Sequence, residues 1–274
     1  MSNAPRPSFR QVINTIYRRY DDFLRRLYRR LPRTTLLDPL FLLYFYYNRG
    51  LQMAAQRYAR GVLLDVGCGH QPYRQFFEDK VESYIGLDFP SGREMLIPSP
   101  ADVALPDVYA DAHRLPVRDA AIDTLLCLEV LEHLSEPAQA LGECFRVLRP
   151  DGHLILTVPF CFHVHGAPHD FRRYTEYGLR HLMERAGFQV VVVHRHGSFG
   201  AVLGLMANVY LFHHFFEVRR QFAVRLLLGT VKVVGTIPLL LLVMVVNIMG
   251  YLLNLSHDNP HFVVNYLIVG RKAS

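Results

Sequence analysis

The sequence has no tryptophan and only three lysines among its 274 residues, against 27 arginines. Its four cysteines, Cys68, Cys127, Cys144 and Cys161, form no C-x-x-C pair. Such scattering offers neither a disulfide frame nor a zinc ribbon, so the thiols read as free in a reducing compartment. The first thirty residues lack the short apolar core of a secretory signal, which points to the cytoplasm. No internal repeat and no low-complexity tract is present.

What the sequence does have is apolar mass: 51% hydrophobic residues and a positive mean hydropathy, with a net charge of +6. Both excesses are local. Nine arginines fall between Arg6 and Arg33, where a helix is expected over residues 8–31. Phe9, Val12, Ile13, Ile16, Tyr20, Phe23, Leu24, Leu27 and Leu31 form one stripe of it, with arginines around the rest. That pattern suits an anionic membrane surface better than nucleic acid, because the apolar stripe needs somewhere dry. The second excess lies in residues 198–257, where 198–216 and 233–253 carry no charge. The latter, VVGTIPLLLLVMVVNIMGYLL, reaches the ~20 residues of a membrane-spanning helix, although Pro238 and Asn247 interrupt it.

Between these ends, residues 61–195 alternate strand-like runs (VLLDV, SYIGLD, DVYAD, IDTLLCLEV, GHLILTVP, FQVVVVHR) with helical spacing, notably at 136–148 and 175–186. The alternation predicts an α/β domain with a mostly parallel sheet. A further helix is expected over 39–60, and a last strand in HFVVNYLIVGRK. The expected division is 1–60 (basic and cap helices), 61–197 (catalytic core), 198–257 (apolar helical insertion) and 258–274 (last strand of the core sheet).

The first strand ends in DVGCGHQPY, residues 65–73. Asp65, then Gly67, Cys68 and Gly69, then a helix expected from about Gln71, is the geometry of a nucleotide-type cofactor loop: glycines turn sharply, and N–H groups at the helix start attract an anion. Pro72 is tolerated in a first helical turn. Asp88 closes the next strand nineteen residues after Gly69, placed to take both ribose hydroxyls. Asp111 and Ala112 follow a third strand and Glu129 a fourth. Two glycines and Asp88 also fit a nicotinamide dehydrogenase.

The segments LLDVGCG, YIGLD, ADAHRLPVRDAAIDTLLCLEVLEHL and ALGECFRVLRPDGHLILTVPF together resemble a class I S-adenosylmethionine-dependent methyltransferase of type 11. The resemblance covers about half the chain. It implies a Rossmann-like seven-stranded sheet whose last strand, here NYLIVGRK, runs antiparallel, and it implies S-adenosyl-L-methionine as cofactor. Gly67 and Gly69, with Asp65 and Cys68 in the same loop, would approach the methionine moiety. Asp88 would hold the ribose, Asp111 and Ala112 border the adenine, and Glu129 line the methionine side. No pyrophosphate needs a third glycine.

After the fifth strand, CFHVHGAPHDFRRYT crowds His163, His165, His169, Asp170, Arg172 and Arg173 together. The APHDFRRYT run is similar to a bacterial subgroup of these methyltransferases associated with cell-surface glycan and natural-product pathways. His165 or His169 is the expected general base, with Asp170 orienting one of them. Glu129, Glu132 and His133 form E-x-x-E-H, which on a helix would share one face. Certain methyltransferases hold a divalent metal with such a run, but most relatives carrying EVLEH need none, so no metal is expected.

The sixth and last strands share one sheet, so the insertion must leave and return on the same side. A single crossing is excluded, and two would leave Arg219, Arg220 and Arg225 on the far face, against the positive-inside tendency. An in-plane or re-entrant hairpin fits best; a buried lid is the rival. The expectation is a cytoplasmic, membrane-associated O-methyltransferase acting on a lipid-linked, glycan or other apolar small molecule, with no nucleic-acid partner. The rivals are an RNA methyltransferase and a catalytically silent membrane scaffold. No oligomeric state is specified.

Overall fold

The computed structural model describes residues 35–90, 104–222, 228–256 and 261–274. The helix expected over 8–31 lies outside them. By contact the chain divides into two units, one of residues 46–199 and 258–274 and one of residues 1–45 and 200–257.

The larger unit is built on a seven-stranded sheet. In chain order its strands are β1 (Val62–Val66), β2 (Ser83–Asp88), β3 (Val108–Tyr109), β4 (Ile122–Leu128), β5 (Leu148–Pro159), β6 (Phe188–His196) and β7 (Asn265–Lys272). Their spatial order is β3-β2-β1-β4-β5-β7-β6. β1 pairs in parallel with β2 and β4, whereas β7 runs antiparallel to both β5 and β6. This is the mixed sheet with a reversed last strand that the family resemblance implies.

Period-two alternation divides the strand side chains between two apolar layers. Leu64, Val66, Leu125, Cys127, Leu154 and Leu156 pack on one face, with Leu141 and Cys144 of one helix and Leu179 and Met183 of another. Leu63, Leu126, Ile155, Leu267 and Val269 pack on the other, with Tyr47, Leu51, Ala54 and Ala55. Burying each large side chain contributes roughly 1.5–3 kcal/mol.

The helices are α1 (Phe41–Tyr58), α2 (Pro137–Val147), α3 (Glu176–Arg185), α4 (Phe199–Phe222) and α5 (Leu228–Ser256). α2 starts with Pro137, whose missing N–H costs nothing in a first turn. α3 starts at Thr175, whose hydroxyl accepts from Gly178 N at 3.1 Å, with Glu176 in its first turn and Arg185 in its last. The unit boundary falls inside α1. Residues 46–58 cluster with the sheet unit, where Tyr47, Leu51, Ala54 and Ala55 complete its second layer.

Two local expectations need correction. No α-helix starts at Gln71: its φ is +54°, outside the helical basin. Its side chain is instead buried, with Nε2 donating to Leu105 O at 2.7 Å. Only one 3-10 turn, Arg74–Phe76, follows. The third strand is likewise reduced to two exposed residues at the sheet edge.

In the other unit, α4 and α5 meet at glycines. A Cβ on Gly200 would lie 2.5 Å from Gly250 O, and one on Gly250 only 2.8 Å from Gly200 O, so neither position has room for a side chain. Further along, Asn208 Nδ2 donates to Asn247 Oδ1 at 2.8 Å, fully buried. Asn247 Nδ2 in turn donates to Leu36 O and Asp38 O, at 2.8 and 2.9 Å. The Asn247 that interrupts the apolar run is thus a satisfied polar lock.

Candidate functional site

Because β1, β2, β4 and β5 are parallel, their carboxyl ends share one edge of the sheet, where ligands of open α/β folds bind. Gly67 follows β1 with φ +75° and Gly69 with φ +52°, a backbone that glycine adopts without strain. Gly67 N and Cys68 N both donate to Leu87 O, at 2.8 and 3.1 Å. Gly69 N donates to Asp88 Oδ2 at 2.6 Å, and Phe89 N to Asp88 Oδ1 at 2.6 Å. The loop therefore folds against the end of β2, with the half-buried Asp88 carboxylate beside Gly69. The N–H groups expected to point from a helix start are engaged by β2 instead.

Asp65 is buried and accepts from the Tyr84 hydroxyl. Burial pushes its pKa up to about 7 against the help of that hydrogen bond. Cys68 is also buried; its sulfur approaches Gly86, where a Cβ would sit 2.9 Å away, and burial raises its thiol well above the usual range. Both build the loop from below. Asp111 is exposed and forms a turn, its Oδ1 accepting from His113 N at 2.9 Å and lying 2.6 Å from His113 Nδ1; that backbone N–H holds its carboxyl low. Ala112 beside it is buried.

Glu129 leaves β4 with φ +57°. Its Oε1 accepts from Asn265 Nδ2 at 2.6 Å, and its backbone N donates to Thr157 Oγ1 at 3.1 Å. Burial and then the charge of Glu132 raise its pKa. Glu129, Glu132 and His133 do not share a helical face, because Leu131–His133 is a single 3-10 turn entered from that left-handed residue.

Of the loop residues, Asp170 is locked by Arg173 at 2.6 and 2.9 Å and accepts from His165 N at 2.9 Å. The guanidinium holds its carboxyl far below the usual range. His165 Nδ1 lies 3.4 Å from Asp170 Oδ2, and the neighbouring Glu132 carboxylate raises the imidazole pKa. His169 is exposed with its ring near Phe171; only its carbonyl joins the group, 2.6 Å from His133 Nδ1. The structure thus unites His165 with Asp170 and Glu132, and does not bring in the His169 imidazole. Sequence reasoning missed Asn265 and Thr157, the partners of Glu129. Neither sits in a motif, and only their placement at strand ends hinted at a role.

Two observations test whether S-adenosylmethionine suits this edge. Both ring nitrogens of His70, next to Gly69, are buried with no hydrogen-bond partner among the described residues, so the loop retains unused polar capacity. Asp88, an acceptor-only carboxylate, is suited to a diol. The residues fit the cofactor.

Residues 64–156 match the family model described as a methyltransferase domain. A Mycolicibacterium smegmatis protein described as "Probable S-adenosylmethionine-dependent methyltransferase" is 31% identical over 146 residues, 51% of this chain and 56% of that protein. An "Uncharacterized methyltransferase" of Mycobacterium leprae is 33% identical over 138 residues, 50% and 48% of the two chains. The chain thus spans about half the length of the curated relatives it matches. Among solved structures, the (4+2)-cyclase SpnF superposes with a TM-score of 0.51 at 22% identity, covering 82% of this chain and 80% of that one; this likeness is one of fold. Loop, sheet order and family match agree: the core is a class I S-adenosylmethionine-dependent methyltransferase domain, and S-adenosylmethionine is the cofactor of that class.

Proposed function

We propose that the chain is an S-adenosylmethionine-dependent methyltransferase that methylates an oxygen of a lipid-linked, glycan or other apolar acceptor at the cytoplasmic face of a membrane. The contact of Gly69 N with Asp88 Oδ2, at 2.6 Å, carries the catalytic half, because it sets a diol-binding carboxylate at the rim of the glycine loop. When bound, S-adenosylmethionine supplies an electrophilic methyl group on a sulfonium. The residues of the chain do the positioning. Asp88 takes the ribose hydroxyls, the Gly67–Gly69 turn receives the methionine end over Asp65 and Cys68, Asp111 and Ala112 border the base, and Glu129 lines the methionine side. On the acceptor side His165, oriented by Asp170, takes the hydroxyl proton, and the exposed His169 is the second base to test.

The membrane half rests on α5. Its segment Gly235–Leu255 has a mean hydropathy of 2.3 with 22% of the window buried. Ile237, Leu241, Val245, Met249 and Leu252 are exposed. So large an apolar face marks an interaction surface, and seating it in a bilayer interface removes it from water. The arginine-rich segment 6–33 adds charge attraction of ~1 kcal/mol per basic residue near anionic lipid.

Calorimetry with S-adenosylmethionine and with NAD tests the first half: binding of NAD alone overturns it. Flotation of the full chain with anionic vesicles tests the second. Retention at high salt is expected, since salt screens the arginines and not the apolar face; a chain that never floats refutes membrane association.

A further inference from the structure

Glu132 is the group that the cofactor reading leaves without a task. It is 0% exposed, and neither carboxylate oxygen has a hydrogen-bond partner among the described residues. A buried carboxylate is tolerated when it is paired, hydrogen-bonded or bound to a metal. Two imidazoles face it without closing that account: His133 Nε2 lies 3.6 Å and His165 Nε2 3.7 Å from Oε1, both beyond hydrogen-bond length.

What each ring presents to Glu132 is set by its other nitrogen. His133 Nδ1 is 2.6 Å from His169 O, and a carbonyl only accepts, so Nδ1 carries the proton. His165 Nδ1 faces two acceptors, His163 O at 3.2 Å and Asp170 Oδ2 at 3.4 Å. Arg173 Nη2, 3.3 Å away, already donates to Asp170 Oδ2 and His163 O. His165 Nδ1 therefore carries a proton as well. Nε2 is then the nitrogen that each ring turns toward the carboxylate. The ligand atoms of Glu132, His133 and His165 all lie within 4.8 Å of one another, one carboxylate and two imidazoles within reach of a single ion.

We propose that Glu132, His133 and His165 form a binding site for a divalent transition-metal cation of the zinc class. Two imidazoles and one carboxylate match that ion, whereas magnesium and calcium favour oxygen alone. Ligand atoms ~2.1 Å from a tetrahedral ion stand roughly 3.4 Å apart, close to the two distances from Glu132. The His133 Nδ1 contact with a carbonyl is the outer-shell hydrogen bond that orients ligating histidines. Glu129 is not in the set, because Asn265 holds its carboxylate. Three protein ligands leave a position open for water or an acceptor oxygen. Cofactor binding does not depend on this site, but a loaded site occupies His165 and leaves the exposed His169 as the base of the methyl-transfer reading.

The test is titration of the metal-stripped full-length chain with zinc chloride by calorimetry, backed by zinc-edge absorption, which counts imidazole ligands. About one zinc per chain with two imidazoles is expected. His165→Ala and, separately, His133→Ala should each weaken binding by at least ~100-fold, more than outer-shell losses do, while Glu129→Gln changes it little. Circular dichroism checks that the His165→Ala variant folds, and the spectrum of the unaltered chain supplies a second readout. No zinc uptake, uptake that survives His165→Ala, or a spectrum without two imidazoles overturns the site and leaves a protonated His165 as the partner of Glu132. Loss of S-adenosylmethionine binding would instead count against the methyltransferase reading, and the two failures stay separate.

Discussion

Asn265 reaches Glu129 and His196 at once: its Nδ2 donates to Glu129 Oε1 at 2.6 Å, and its Oδ1 lies 3.2 Å from His196 Nδ1. The first residue of the reversed strand thus joins the carboxylate after β4 to the end of β6. Asn265 is fully buried, so Asn265→Leu leaves both partners unsatisfied. Each unsatisfied group costs ~1–3 kcal/mol, and urea unfolding should show a loss of about 2–4 kcal/mol. A loss within ~0.5 kcal/mol would mean that the contacts are not coupled to stability.

His196 predicts an acid-sensitive fold. Burial lowers its pKa to about 3, with His194 adding to the effect. The folded value lies below the unfolded ~6.5, so between them the unfolded chain binds more protons. The contribution is complete above about pH 6.5 and lost as pH falls toward 3. At pH 5 this group alone should cost about 2 kcal/mol relative to pH 7. His196→Gln should flatten that slope in urea unfolding at the two pH values. Equal slopes in both proteins would refute the assignment.

Gly67→Ala combines two penalties. The φ of +75° strains any side chain, and the new Cβ would sit 2.3 Å from Val130 Cγ2. A loss of ~1–3 kcal/mol is expected, with weaker S-adenosylmethionine binding. Adding Val130→Ala removes the clash and leaves the strain, so the double variant should recover part of the stability, read from thermal unfolding. If it recovers nothing, the clash was not the cause.

Asp88→Ala should weaken S-adenosylmethionine binding at least tenfold in a folded chain, since each charge-assisted hydrogen bond is worth ~1.5–3 kcal/mol. Asp88→Asn, which keeps the shape but not the charge, should fall between. Calorimetry decides; unchanged affinity in the alanine variant removes Asp88 from the site.

The strands and most helices were legible because their signals are local. VLLDV and SYIGLD are buried apolar runs, and helical spacing over 175–186 marks α3. The error at Gln71 has the opposite origin. Its left-handed backbone accompanies a side chain buried against Leu105, a partner thirty-four residues away, and no helical propensity reports such a partner. The E-x-x-E-H spacing misled for the same reason: it assumes a helix, and the chain enters Leu131–His133 through Glu129 in the left-handed region.

By itself the sequence determined the class of fold, the glycine loop and the placement of Asp88, because periodicity and the demand for positive φ act within a few residues. Only the tertiary structure decided which acidic and histidine side chains meet. Glu129 finds Asn265 across 136 residues, and Glu132 finds His165 on the loop after another strand. Such encounters depend on strand order and on the direction a backbone angle gives each side chain, and chain spacing encodes neither.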